Sequence, residues 1–140
     1  ISDNYTQDED LKIVIHKKIN EVDSLEKLKE IKAELEDRFG KITYDMEIYM
    51  YEEWFEKMAK KLEVENSKQT KNFIDLELSI NISNKIDGEK LFYLAYEVSK
   101  YFRLSYKNNK IHIILDTVKL EEHFIIYLTK LFSRILNEMF

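Results

Sequence analysis

The chain has no cysteine and no proline, and only two glycines and three histidines in 140 residues. Without cysteine there is no disulfide, no thiolate nucleophile and no thiolate metal site. That usage fits a reducing compartment, and a cytoplasmic location is expected. Two glycines, each placed to serve a turn, leave no glycine-rich phosphate cradle and no P-loop, so this stretch is read as non-catalytic and not as an ATPase. His16, His112 and His123 fall in no H-x-x-x-H or E-x-x-H spacing, whereas metal centres need ligands converging at fixed intervals. No metal, no cofactor and no catalytic residue is expected, and His16, beside Lys17 and Lys18, reads as a surface histidine. The acid pairs Glu52-Glu53 and Glu121-Glu122 are sequence neighbours that splay apart on a helix. No apolar run approaches the ~20 residues of a membrane helix, and the polar, acidic N-terminus lacks a secretory pattern. A net charge of −5 disfavours duplex nucleic acid as the main partner. The chain does not begin with Met, which suggests a domain taken from a longer protein.

What is present is a globular mixture, 44% apolar and 35% charged, of a length that suits one domain. A polar arm over residues 1–8 is expected to precede a single domain over 9–140. Leu11, Ile15 and Ile19 predict a helix over 9–22. Leu25, Leu28, Ile31, Leu35 and Phe39 step by three and four along 24–40, with Asp23 or Ser24 as N-cap and Gly40 as the stop. Ile48, Tyr51, Phe55, Met58 and Leu62 predict a third helix over 44–63 after a Thr43 cap, and 64–71 reads as a polar loop. Ile74, Leu76, Leu78, Ile80 and Ile82 alternate with polar residues, which predicts a strand with one wet face. Asp87 is placed to cap a helix over 88–100. Residues 101–106 and 110–115 predict a hairpin about Asn108-Asn109, and Asp116 or Thr117 a cap for a last helix over 118–138. The expected fold is α+β, a small, mainly antiparallel three-stranded sheet packed against about five helices.

Two surfaces invite a functional reading. The aromatics Tyr93, Tyr96, Tyr101, Phe102 and Tyr106, with Lys100, Arg103, Lys107 and Lys110 nearby, suggest as an alternative a small single-stranded nucleic-acid-binding module that stacks bases; against it stand the negative charge and the lack of an RNP-like motif. The second surface is the end of the helix over 24–40, Glu34-Leu35-Glu36-Asp37-Arg38. Glu34 is spaced to pair with Arg38, whereas Asp37 opposes the helix dipole, which hints at a task outside the helix.

AELEDRFG resembles the E-L-x-D-R-F-G signature of the C-terminal domain of the bacterial transcription-repair coupling factor, Mfd. Tyr5-Thr6-Gln7-Asp8 with Leu11 and His16-Lys17-Lys18-Ile19 is similar to the family's Y-I-P-D lead-in and Y-K-R-I helix. Met58-Ala59-Lys60-Lys61-Leu62 is similar to its L-A-K-K-L segment, and Phe102-Arg103-Leu104 to a strand entry. The chain departs from the family at Lys41-Ile42-Thr43, where prolines are usual, and at Glu53-Trp54, where a small residue and Arg are usual. The resemblance implies an autoinhibitory regulatory domain of an ATP-dependent DNA translocase. Its implied partner is the UvrB-like module of the same polypeptide, whose UvrA-recruiting surface it covers; UvrA and RNA polymerase are reached indirectly, through the parent protein. The implied interface residues are Glu34, Asp37 and Arg38, with no membrane and no direct nucleic-acid contact.

Overall fold

The structure, a computed structural model, describes residues 5–140. Residues 1–4 of the expected polar arm lie outside the described residues. The described elements run α1 (Glu9–Ile19), α2 (Leu25–Phe39), α3 (Tyr44–Lys61), β1 (Val64–Gln69), β2 (Phe73–Leu78), α4 (Ile80–Lys85), α5 (Gly88–Val98), β3 (Phe102–Lys107), β4 (Lys110–Asp116) and α6 (Phe124–Met139). They form two compact units, one ending at Lys57 and one running Met58–Phe140.

The first unit is helical. Asp8 caps α1 by accepting from the N–H groups of Asp10 and Leu11, and Ile15 and Ile19 are fully buried. The end of α1, at Ile19 rather than residue 22, is held by the Lys57 ammonium, which donates to the carbonyls of Asn20 and Val22 at 2.6 Å each. Of the two candidate caps for α2, Ser24 is the one used: its hydroxyl accepts from the Lys27 N–H. Leu28, Ile31 and Leu35 form the buried seam of α2. Gly40 at φ +93° ends the helix, in the left-handed region that side chains other than hydrogen resist. The Thr43 hydroxyl accepts from the Met46 N–H and starts α3. His16 is half-buried rather than solvated, its Nδ1 lying 3.2 Å from the Tyr49 hydroxyl.

The second unit holds a four-stranded antiparallel sheet, ordered β1-β2-β4-β3. The α+β class is as expected, with a fourth strand where a polar loop over 64–71 was expected. β1 escapes detection because it is a margin strand, exposed along nearly its whole length, so no apolar alternation marks it. The expected strand through Ile82 stops at Leu78. Buried Ser79 donates to Glu63 Oε1 at 2.8 Å and accepts from the Ile82 N–H, capping α4; its local hydrogen bonding overrides the alternation. The last helix begins at Phe124 rather than 118. Asp116 instead closes a turn by accepting from the Val118 N–H, and His123 caps α6 by accepting from the Ile125 N–H at 3.1 Å. The hairpin forms as expected, with Asn108 and Asn109 at φ 54° and 65°, the signature of the tight turn whose twist matches the strands. Ile74, Leu76, Leu78, Ile111, Ile113 and Leu115 supply the sheet's buried face. α5 lies against β3 and α6, and α4 against β4. An ion cluster joins α5 to α6: Arg134 binds Glu138 through Nε at 2.7 Å and Nη2 at 3.3 Å, and Glu97 through Nη1 at 2.6 Å. The Glu138 and Glu97 hydrogen bonds hold the Arg134 guanidinium above its already high range, and its contact in turn holds Glu138 low.

Candidate functional site

The last turn of α2 is assembled from two separated pieces of sequence. The Tyr5 hydroxyl donates to the carbonyls of Leu35 at 3.3 Å and Gly40 at 2.9 Å, satisfying groups that a helix end otherwise leaves open. Its ring meets Phe39 edge-on at 6.5 Å, and burial, reinforced by Glu36, pushes the hydroxyl above the usual tyrosine value. Tyr5 and Phe39 thus have structural work in this turn. Glu36 does as well, since its Oε2 accepts from the Ile42 N–H at 3.1 Å. The side chains left facing outward are Glu34, Asp37 and Arg38.

The three differ in how far the fold itself engages them. Glu34 lies 3.5 Å from Lys18 Nζ and 3.9 Å from Arg38 Nη1. The Arg38 side chain is half exposed and its guanidinium lies 5.0 Å from the Phe39 ring centre. Asp37 is exposed and makes no ion pair or hydrogen bond among the described residues. The arrangement offers two carboxylates and a guanidinium on one helix end, a pattern suited to recognising a complementary charged surface. Lys18, which the sequence marks only through the His16-Lys17-Lys18-Ile19 segment, lies in the last turn of α1.

A second charged group stands on the sheet's open face. His112 Nδ1 is 2.9 Å from Asp75 Oδ1 and its Nε2 is 3.2 Å from Glu77 Oε2. Glu77 also accepts from the Asn66 amide at 2.9 Å and meets Lys110 at 3.5 Å, while Lys110 meets Glu65 at 3.0 Å. The Asn66 bond, helped by Lys110, holds the Glu77 carboxyl below the usual glutamate value; the Glu65 contact holds Lys110 above the usual lysine value. No grouping of three or more histidine, aspartate or glutamate side chains suited to a metal is present among the described residues.

The aromatic set is divided between a helix and a strand margin. Tyr93 and Tyr96 are exposed on α5, together with Phe92, and Tyr106 is exposed on β3. Tyr101 and Phe102 are half-buried, with Lys100 Nζ 5.4 Å from the Tyr101 ring centre. The wet face of the central strands carries Asp75, Glu77 and His112, where a base-stacking sheet presents aromatics. No helix among the described residues is long and apolar enough to cross a membrane.

The model of the TRCF domain family matches residues 1–91. The transcription-repair-coupling factor of Bacillus subtilis (strain 168) is 31% identical over 117 residues, covering 84% of this chain and 10% of that protein. The Staphylococcus haemolyticus (strain JCSC1435) protein of the same name is 32% identical over 117 residues, covering 82% and 10%. The chain therefore spans about a tenth of the length of these relatives. The crystal structure of the C-terminal domain of a transcription-repair coupling factor superposes with a TM-score of 0.79 at 20% identity, over 99% of this chain and 86% of that one.

Proposed function

The chain belongs to the transcription-repair coupling factor family, as its TRCF domain, and from that premise we propose that it is a non-catalytic regulatory domain that docks on the UvrB-like module of its own polypeptide. Docked there, it masks the surface through which that module recruits UvrA, and it withdraws when repair is triggered. The ATP-dependent translocation on DNA and the engagement of RNA polymerase belong to other parts of the parent protein.

The observation that carries this reading is Asp37. Its carboxylate is exposed at the negative end of α2, where the helix dipole disfavours it, and it has no hydrogen-bond or ion-pair partner among the described residues. A partner from outside relieves that conflict. Asp37 and Glu34 meet bases on the module, and Arg38 meets an acid or a backbone carbonyl. Charge pairs that become partly buried give specificity, while a clasp that must open requires modest net affinity.

The test is a titration of this chain against the isolated UvrB-like module of the same protein. Asp37→Ala alone disturbs no pair among the described residues, so a loss of affinity reports the interface directly; about tenfold or more, ~1.4 kcal/mol, is expected. Glu34→Ala combined with Asp37→Ala weakens binding further. Affinity equal to that of the unsubstituted chain removes these residues from the interface.

A further inference from the structure

We propose that the β3 margin of the sheet is a docking site for an extended polypeptide segment in which apolar and acidic residues alternate. This rests on the geometry of the second unit and not on the clasp reading of α2.

β3 is a terminal strand of the sheet. Its register against β4 pairs Lys107 with Lys110 across a two-residue turn, and the Asp116 N–H donates to the Tyr101 carbonyl at 3.0 Å. Tyr101, Arg103, Ser105 and Lys107 are therefore the residues whose backbone groups bond β4, and those of Leu104 and Tyr106 point off the margin. The opposite margin, β1, is blunted by a register shift between Val64 and Asn66 and by a run of exposed polar side chains, both common guards against unwanted strand addition. β3 keeps a regular register from Phe102 to Lys107.

The two faces beside this margin differ. Leu104 and Tyr106 lie opposite Ile113 and Ile111, so their side chains lean to the apolar face. There a cleft of about 360 Å³ opens, lined by Leu104, Tyr106 and Ile111 from the hairpin and by Ile86 and Leu91 from the start of α5 and its approach. On the other face Arg103 and Lys107 are exposed and make no ion pair among the described residues. An added strand places alternate residues in the cleft and the intervening ones beside these two cations. Apolar residues suit the first set and acids the second, the alternation that strand addition reads. Two-fold pairing with a second copy about Ser105 sets Arg103 opposite Lys107 of the other chain, and directly opposed like charges disfavour that register.

The experiment titrates the full chain with a fluorescein-labelled decapeptide of alternating valine and glutamate, read by anisotropy and by amide hydrogen exchange. Binding is expected, with exchange slowed at Leu104 and Tyr106. Arg103→Glu with Lys107→Glu loses about tenfold or more and gains affinity for the valine–lysine counterpart. Tyr106→Pro removes one outward N–H while keeping the bonds to β4, which a margin strand tolerates, and it abolishes binding; far-UV circular dichroism checks that each variant is folded. Absence of peptide binding, affinity unmoved by the charge reversal, or protection confined to other residues overturns the proposal. So does an oligothymidylate that binds more tightly and displaces the peptide, which makes the surface a nucleic-acid site.

Discussion

The two charged clusters of this chain are built alike and end differently. On the open face of the sheet, Asp75, Glu77, His112, Lys110, Glu65 and Asn66 answer one another. At the end of α2 the Lys18–Glu34–Arg38 group is answered in the same way, but Asp37 is answered by nothing among the described residues. A cluster whose charges are all met inside the unit is explained by the unit. A charge left over in an unfavourable place has no such explanation, and it is the feature to follow outward. The rule is sharper than counting exposed charges, because most surface ion pairs contribute little.

Both clusters stand on apolar platforms, and those platforms do most of the stabilising. Leu35, 1% exposed under the α2 tail, is the platform of the first. Leu35→Ala is expected to cost ~2–5 kcal/mol in denaturant unfolding; a loss below 1 kcal/mol, near what exposed pairs supply, breaks the comparison at its base. The complementary case is an unanswered group on the inside. The Thr129 hydroxyl on α6 is fully buried without a hydrogen-bond partner among the described residues. An unmet polar group there is a liability and not an invitation, so Thr129→Val, nearly equal in shape, should raise stability by about 1 kcal/mol. A thermal melt decides the sign.

Much of the helical unit is legible in the sequence because its signals are local. Ser24, Gly40 and Thr43 mark helix ends through their own side chains or their lack of one, and Leu28, Ile31 and Leu35 repeat at helical spacing. Asn108-Asn109 marks the hairpin for the same reason. The misses arise where a residue's role is set by a distant partner. Ser79 is a cap because Glu63 engages it, and β1 is a strand because β2 is beside it; neither partnership leaves a periodic trace. His123 as a helix cap is equally silent, since Asp116 and Thr117 are the stronger capping types. In the candidate site, Glu34, Asp37 and Arg38 are visible as residues and as a motif, but the distinction between the paired Glu34 and the unpaired Asp37 belongs to three dimensions. So does the outward backbone of Leu104 and Tyr106.

The closed nature of the sheet cluster has a pH consequence. Chiefly through the Asn66 hydrogen bond, Glu77 is held below the ordinary glutamate value of 4.5. A carboxylate lowered in the folded state contributes stability that is present above its unfolded value and is lost as pH falls through the folded one. Glu77→Gln, which keeps an acceptor for Asn66 but no charge for Lys110, is therefore expected to melt earlier than the unsubstituted chain at neutral pH, by less than the Thr129 change raises it. The two melting curves should converge as pH drops below 4.5. A gap that persists in acid shows that shape and not charge closes this cluster.

The smallest expected change in stability is the one that tests the comparison most directly. If Asp37 answers nothing within the chain, removing it relieves the end of α2 of a charge of the wrong sign. Asp37→Ala should then stabilise the isolated chain by ~0.3–1 kcal/mol, toward the lower figure because the side chain is exposed, and the gain should shrink as added salt screens the dipole. The same substitution is the one expected to weaken the proposed docking on the UvrB-like module. Opposite signs in the two measurements mean that Asp37 is kept at a cost to its own helix for the sake of a contact beyond it. A melt that falls instead of rising means that Asp37 supports the fold, and the α2 tail becomes a closed cluster like the one on the sheet.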